Sequence, residues 1–288
     1  MKSKTLYYIH CMKKIFVLLV TCMLMTACGN KKKEVVKDEI QQNTILILYY
    51  SQTGATASVA NQLKSCMDAD IEEIICEEPY DGNFKATIER CEKEHENGEL
   101  PAIKPIKSDV QKYDIIFLGY PIWFGTYASP ISTLIEKVNF AGKMIVPFCT
   151  FGSGGLESSI ENLKSQLPRS VIMDGFGIRN ARLKYLQEEL DDFLKHNGYL
   201  QGEVEEVPDF KVQDELTDLD KNVFHEACNG YPYPLGTPTS VSKRYTNKGT
   251  EYRFITRSTD DAMSTKMTVF VELRNTKGAK AEFTKVIR

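Results

Sequence analysis

Between residues 44 and 198, short apolar runs alternate with segments whose apolar residues recur at helical spacing. Thr44–Tyr50 is a continuous apolar run of strand length, the pattern of a strand buried on both faces of a parallel sheet. Val59, Ala60, Leu63 and Met67 then repeat with the period of a helix. Further strands are predicted at Ile71–Cys76, Asp114–Gly119, Met144–Cys149 and Val171–Phe176. Helices are predicted at Asn83–Gly98, Pro130–Val138, Ser158–Gln166 and Ala181–Lys195. Such alternation implies βαβ units with right-handed crossovers, hence a doubly wound five-stranded parallel α/β sheet. Ligands of such sheets sit beyond the C-terminal strand ends.

The pattern changes after Gly198. Residues 199–216, with Val207-Pro208, read as a linker, and Leu219–Ala227 as a helix. Strand-like segments follow at Ser240–Thr246, Thr250–Arg257, Lys266–Leu273 and Ala281–Ile287. Asn247-Lys248-Gly249 and Asn275–Gly278 supply hairpin turns. Residues 217–288 are therefore expected to form a small α+β domain with an antiparallel sheet.

Three strand ends carry the candidate chemistry. After the first strand, Ser51, Thr53 and Thr56 surround Gly54 just before a helix. A phosphate there would meet free backbone N–H groups, the positive helix end and hydroxyl donors. No Gly-Lys-Ser/Thr follows, so this is not a triphosphate loop, and a dinucleotide Gly-x-Gly-x-x-Gly is missing too. Taken alone, the same residues also suit a helix N-cap without a ligand. After the third strand, Tyr120–Tyr127 holds four aromatics in eight residues, including the only tryptophan, Trp123. After the fourth, Thr150-Phe151-Gly152-Ser153-Gly154-Gly155 is glycine-rich and suited to close backbone approach. In strand order 2-1-3-4-5 these three loops meet at one crevice. Together they specify a planar phosphorylated cofactor.

Composition narrows the classes. The chain has 288 residues, 42% of them hydrophobic, and a formal charge of −3, which argues against nucleic acid as a partner. The eight cysteines contain no Cys-x-x-Cys pair, so no metal site is expected. Cys66, Cys76 and Cys149 read as packing residues. His95, His196 and His225 read as solvated or capping groups. Asn83–Gly98 reads as a plain surface helix in preference to the border of a substrate entrance.

Lys13-Lys14 precede an apolar run too short to span a membrane comfortably, the form of a secretory signal over residues 1–27. Met25-Thr26-Ala27-Cys28-Gly29 resembles the bacterial lipobox, which implies lipidation at Cys28, export, and anchoring on the periplasmic side or cell surface. The alternative is an ordinary signal peptide with a chance cysteine. Met12 would also make a compact start. Loss of residues 1–27 leaves 32 basic against 39 acidic residues. Residues 28–43, polar and lysine-rich, read as a tether between the lipid and residues 44–198.

At its three loops the chain resembles the flavodoxin-like family over roughly residues 44–198. Ser51–Thr56 matches that family's FMN-phosphate loop, and Gly119–Thr126 and Pro147–Gly155 resemble its two flavin-flanking loops. The resemblance implies FMN as cofactor. By that resemblance it would be held by Ser51, Thr53, Gly54, Ala55 and Thr56 at the phosphate and by Pro121, Ile122, Trp123, Phe124, Gly125 and Thr126 at the ring, with Trp123 stacking on it. Thr150, Phe151, Gly152, Ser153 and Gly154 would face the ring's polar edge. Phosphate bound without a nearby cation would lower the flavin's potential. No side chain need act as a catalytic acid or base in electron transfer. The expected partner is a redox protein or a small-molecule acceptor. A quinone or nitro-compound reductase remains open, as does a non-redox binding module. The tail is loosely similar to a cystatin-like module. Tyr245 and Asn247 stand where an inhibitory Gln-x-Val-x-Gly hairpin needs glutamine and valine, which favours a protein-binding or structural appendage.

Overall fold

The computed structural model describes residues 43–81, 83–211, 215–258 and 265–288. The expected signal at 1–27, the lipidation at Cys28 and all of the tether but Asn43 lie outside the described residues.

A parallel sheet forms from β1 (Ile45–Tyr49), β2 (Asp70–Glu73), β3 (Ile115–Trp123) and β5 (Met144–Phe151), in the order β2-β1-β3-β5. The fifth position is shared by β6 (Val171–Ile172) and β7 (Phe176–Arg179), both parallel to β5. The doubly wound order is thus as expected, but the fifth strand is broken and runs on to Arg179. Pro147, in the middle of β5, has no N–H to offer a neighbour, and the ladder lapses between Ile145↔Ile172 and Phe148↔Phe176.

The β1 run explains both layers. Leu46 and Leu48 pack with Ile116, Leu118 and Ile131 on one face. Ile47 and Tyr49 pack with Val59, Leu63 and Leu190 on the other. Around the sheet lie α1 (Ala55–Cys66), α2 (Phe84–Asn97), α3 (Ser129–Lys137), α4 (Leu156–Gln166) and α5 (Leu186–His196). The start of the helix expected at Ala181 is instead a 3-10 turn, Asn180–Tyr185.

Beyond the linker, α6 (Asp218–Cys228) is opened by a capping box in which Thr217 and Asp220 satisfy each other's N–H groups. Its Val223 and Phe224 pack against Val241, Phe254, Val269 and Phe283. These come from an antiparallel sheet of β8 (Thr237–Tyr245), β9 (Gly249–Arg257), β10 (Lys266–Arg274) and β11 (Glu282–Ile287), ordered β11-β10-β9-β8.

This sheet is built onto the α/β body, and residues 43–288 form one contact unit. Buried Arg182 reaches Glu189 at 2.7 Å on its own side, and Glu272 and Glu282 across the junction. Arg274 reaches back to Glu188 at 2.8 Å.

Candidate functional site

The loop from β1 to α1 turns on Gly54, whose φ of 88° lies in the left-handed region that favours glycine. Ser51 Oγ accepts from the Ala57 amide at 3.1 Å, and the Gly54 carbonyl accepts from Ser58 at 2.9 Å. Among the described residues, the amides of Ala55 and Thr56 have no acceptor. They are donors at the positive end of a twelve-residue helix, the arrangement that binds an anion.

Thr56 is buried, and its hydroxyl lies 2.9 Å from that of Thr150 at the end of β5. Its side chain therefore joins two strand ends, while its amide remains for a ligand. Gln52 donates to Thr87 Oγ1 at 2.6 Å and ties the same loop to α2.

The aromatic segment differs from the loop expected after Gly119. β3 continues through Trp123 and doubles back into β4 (Thr126–Tyr127), pairing Ile122 with Tyr127 and Trp123 with Thr126. The two-residue turn has Phe124 at φ 49° and Gly125 at φ 81°, both positive as a type I′ hairpin requires. Phe124 is 67% exposed in this strained conformation. Ser158 donates to the Gly125 carbonyl, and Asn162 to Thr126 Oγ1 at 2.8 Å, so the turn is held from α4. Trp123 meets Tyr80 edge-to-face at 4.8 Å and Tyr50 at 5.8 Å.

The three strand ends enclose a cavity of roughly 400 Å³. Gln52, Thr53 and Thr56 line it from the first loop, and Pro121, Ile122, Trp123 and Phe124 from the second. Thr150, Phe151 and Gly152 complete it from the third. Ser51, Gly54 and Ala55 form the loop behind it. Gly125, Ser153 and Gly154 face an adjoining cleft of roughly 390 Å³, shared with Glu157, Ser158 and Val286–Arg288. Thr126 lies on the α4 side of the hairpin.

Five cavity residues were not among the site residues expected from the sequence: Gln52 of the first loop, Phe84, Thr87 and Ile88 of α2, and Asn180. Phe84, 70% exposed at the head of an otherwise charged helix, was the available signal.

No charged side chain lines the cavity among the described residues. Cys149, beneath it, is held protonated because burial pushes its thiol well above the usual range. Burial likewise pushes Cys76 up to about 11. Neither is a ready nucleophile. Among the described residues, no group of three or more His, Cys, Asp or Glu could hold a metal, and no helix is long and apolar enough to cross a membrane. An apolar slot with neutral polar edges, beside unsatisfied helix-end amides, fits a flat ring carrying a phosphate.

A flavoprotein from Bacteroides eggerthii is 31% identical, with a TM-score of 0.45, over 52% of this chain and 97% of its own. A flavoprotein from Lactobacillus acidophilus, solved in complex with FMN, is 23% identical, with a TM-score of 0.43, over 50% of this chain and 99% of its own. Flavodoxin 2 from Bacillus cereus is 18% identical, with a TM-score of 0.35, over 52% and 94%. No curated protein matches the chain. Residues 44–196 match the flavodoxin family, and the chain belongs to it.

Proposed function

We propose that this protein binds FMN in the cavity between the β1, β3 and β5 ends and serves as an electron carrier. The observation that carries the reading is the pairing of unsatisfied Ala55 and Thr56 amides with an uncharged, aromatic-walled slot. In their places, the amides and Thr53 would hold the phosphate. Trp123, Phe124 and Pro121 would cover the ring, and Thr150–Gly152 would present backbone groups to its edge. FMN supplies one- and two-electron chemistry when bound. The chain's part is to exclude water, orient the ring and set its surroundings.

Full-length protein titrated with FMN should lose Trp123 fluorescence. Absorbance titration of Trp123→Ala and Thr53→Ala should show weaker binding in both. No binding by the unmodified chain at high micromolar FMN would overturn the reading.

The reading extends to location. Export and lipid anchoring through Cys28 would place the carrier on the outer side of a bacterial membrane. Labelled fatty acid should enter the wild type but not Cys28→Ser; equal labelling would remove the anchor.

The cleft beside the cavity favours a second reading, reduction of a quinone or nitro compound. Steady turnover of such an acceptor with a pyridine nucleotide would select it over simple carriage.

A further inference from the structure

We propose that Arg179 is a positioning residue of the cofactor site, through which the C-terminal sheet sets the affinity and potential of bound FMN. The inference rests on the FMN reading above.

Arg179 ends β7, paired beside Phe151. Its Nε donates to the carbonyl of Gly152 at 2.8 Å, and Nη1 to the carbonyl of Phe283 at 3.3 Å. Its guanidinium also lies 4.7 Å from the Phe283 ring centroid. Gly152 lines the cavity, whereas Phe283 lies in the core of the C-terminal sheet. One planar group thus holds two carbonyls from two layers, a task for a fork of fixed donors.

Two neighbouring contacts hold the same loop. The Val286 amide donates to the Ser153 carbonyl at 2.7 Å, and Lys285 pairs with Glu157 in the first turn of α4. Gly154 passes so close to the Val286 carbonyl that a β-carbon would collide with it. β11 is an edge strand, and at Val286 its outward N–H ends on this loop instead of on water. The segment after β5 is therefore fixed from the C-terminal side at successive residues. An appendage serving only an outside partner would need none of these contacts.

Charge points the same way. Among the described residues no carboxylate lies within ion-pair distance of Arg179, whereas Arg182 has three glutamates. Glu282, the acidic neighbour whose field reaches Arg179, is engaged by Arg182, Lys184 and Tyr185. Arg179 therefore stands as an incompletely neutralised cation one hydrogen bond behind the cavity wall. A positive charge there favours the more negative reduced cofactor and raises its potential. It opposes the lowering expected from a phosphate bound without a cation.

The test uses full-length protein, measuring FMN affinity, the midpoint potential of bound FMN, and amide exchange of Ser153–Gly155 without FMN. Arg179→Met should weaken FMN about tenfold, lower the potential and speed exchange. Arg179→Lys should recover the potential more fully than the affinity. Arg274→Met, which loosens the sheet at Glu188 away from the loop, should leave affinity and potential unchanged. A folded Arg179→Met with wild-type affinity and potential overturns the inference. Should that variant not fold, Arg179→Lys decides, because it keeps the charge but cannot donate to the Gly152 and Phe283 carbonyls as a planar fork. Faster exchange and weaker FMN in it support the proposal; wild-type exchange and affinity overturn it. Failure of the unmodified chain to bind FMN overturns the functional reading as well, so the two failures are distinguishable.

Discussion

The hydroxyls of Thr56 and Thr150 lie 2.9 Å apart, each almost wholly buried, and join the end of β5 to the first turn of α1. Neither hydroxyl meets bulk water, so each depends on the other for its hydrogen bond. Replacing either threonine alone by valine should cost about 1–3 kcal/mol, because the partner left behind is desolvated and unsatisfied. The double valine variant should cost less than the sum of the two. Urea denaturation of the four proteins measures this, and strict additivity would refute the coupling.

Gly54 tests the other half of the same junction. An alanine β-carbon would meet no atom within 4 Å, so the cost of Gly54→Ala is conformational, about 1 kcal/mol for a side chain at φ 88°. The backbone that aims the Ala55 and Thr56 amides should shift as well. FMN affinity should therefore fall by more than it does in Thr56→Val, which keeps both amides. Equal losses would place the phosphate on the hydroxyl rather than on the helix end.

The sheet and the three loops were legible because their signals are local. The apolar run at 45–49 demands burial on both faces, and Gly54 follows where the chain must turn. The hairpin at 122–127 was not legible. Its turn is Phe124-Gly125, and a bulky residue at positive φ carries none of the Asn-Gly signature of that turn. The break in the fifth strand depends on Pro147 of a neighbouring strand, a relationship that reading β6 and β7 alone does not expose. The union of body and C-terminal sheet is carried by pairs such as Arg182 with Glu272 and Glu282, 90 and 100 positions apart in the chain. Charge patterns at that distance have no period to find.

Arg182 shows what the union rests on. Its side chain is nearly enclosed, with Glu272 almost as buried and Glu189 and Glu282 closing the cluster. Arg182→Met should cost about 3–5 kcal/mol, since it strands buried carboxylates without a counter-charge. Adding Glu272→Gln should recover part of that loss by removing one of the stranded charges. Thermal unfolding of the single and double variants checks this; no recovery would mean that packing, not charge, governs the site.

The same junction should make the protein acid-sensitive. At Glu282, burial works to raise the carboxyl, but hydrogen bonds from Lys184 and Tyr185 and the charges of Lys184 and Arg182 outweigh it and hold it below its ordinary 4.5. Glu188 is likewise lowered against burial by Arg274 and Lys248, and Glu157 by Lys285. A carboxyl depressed in the folded state stabilises the fold above its unfolded value and loses that contribution as pH falls through its folded one. Glu189 has the opposite sign: burial raises it despite Arg182, so its protonation on acidification favours the fold. Glu157, Glu188 and Glu282 therefore lose their stabilisation as pH falls below about 4.5, while Glu189 opposes them. Lys184→Met should flatten the profile, because it removes the leading force that depresses Glu282 while altering an exposed side chain. A thermal midpoint that stays level between about pH 7 and pH 3.5 would show that these carboxylates gain nothing from the junction.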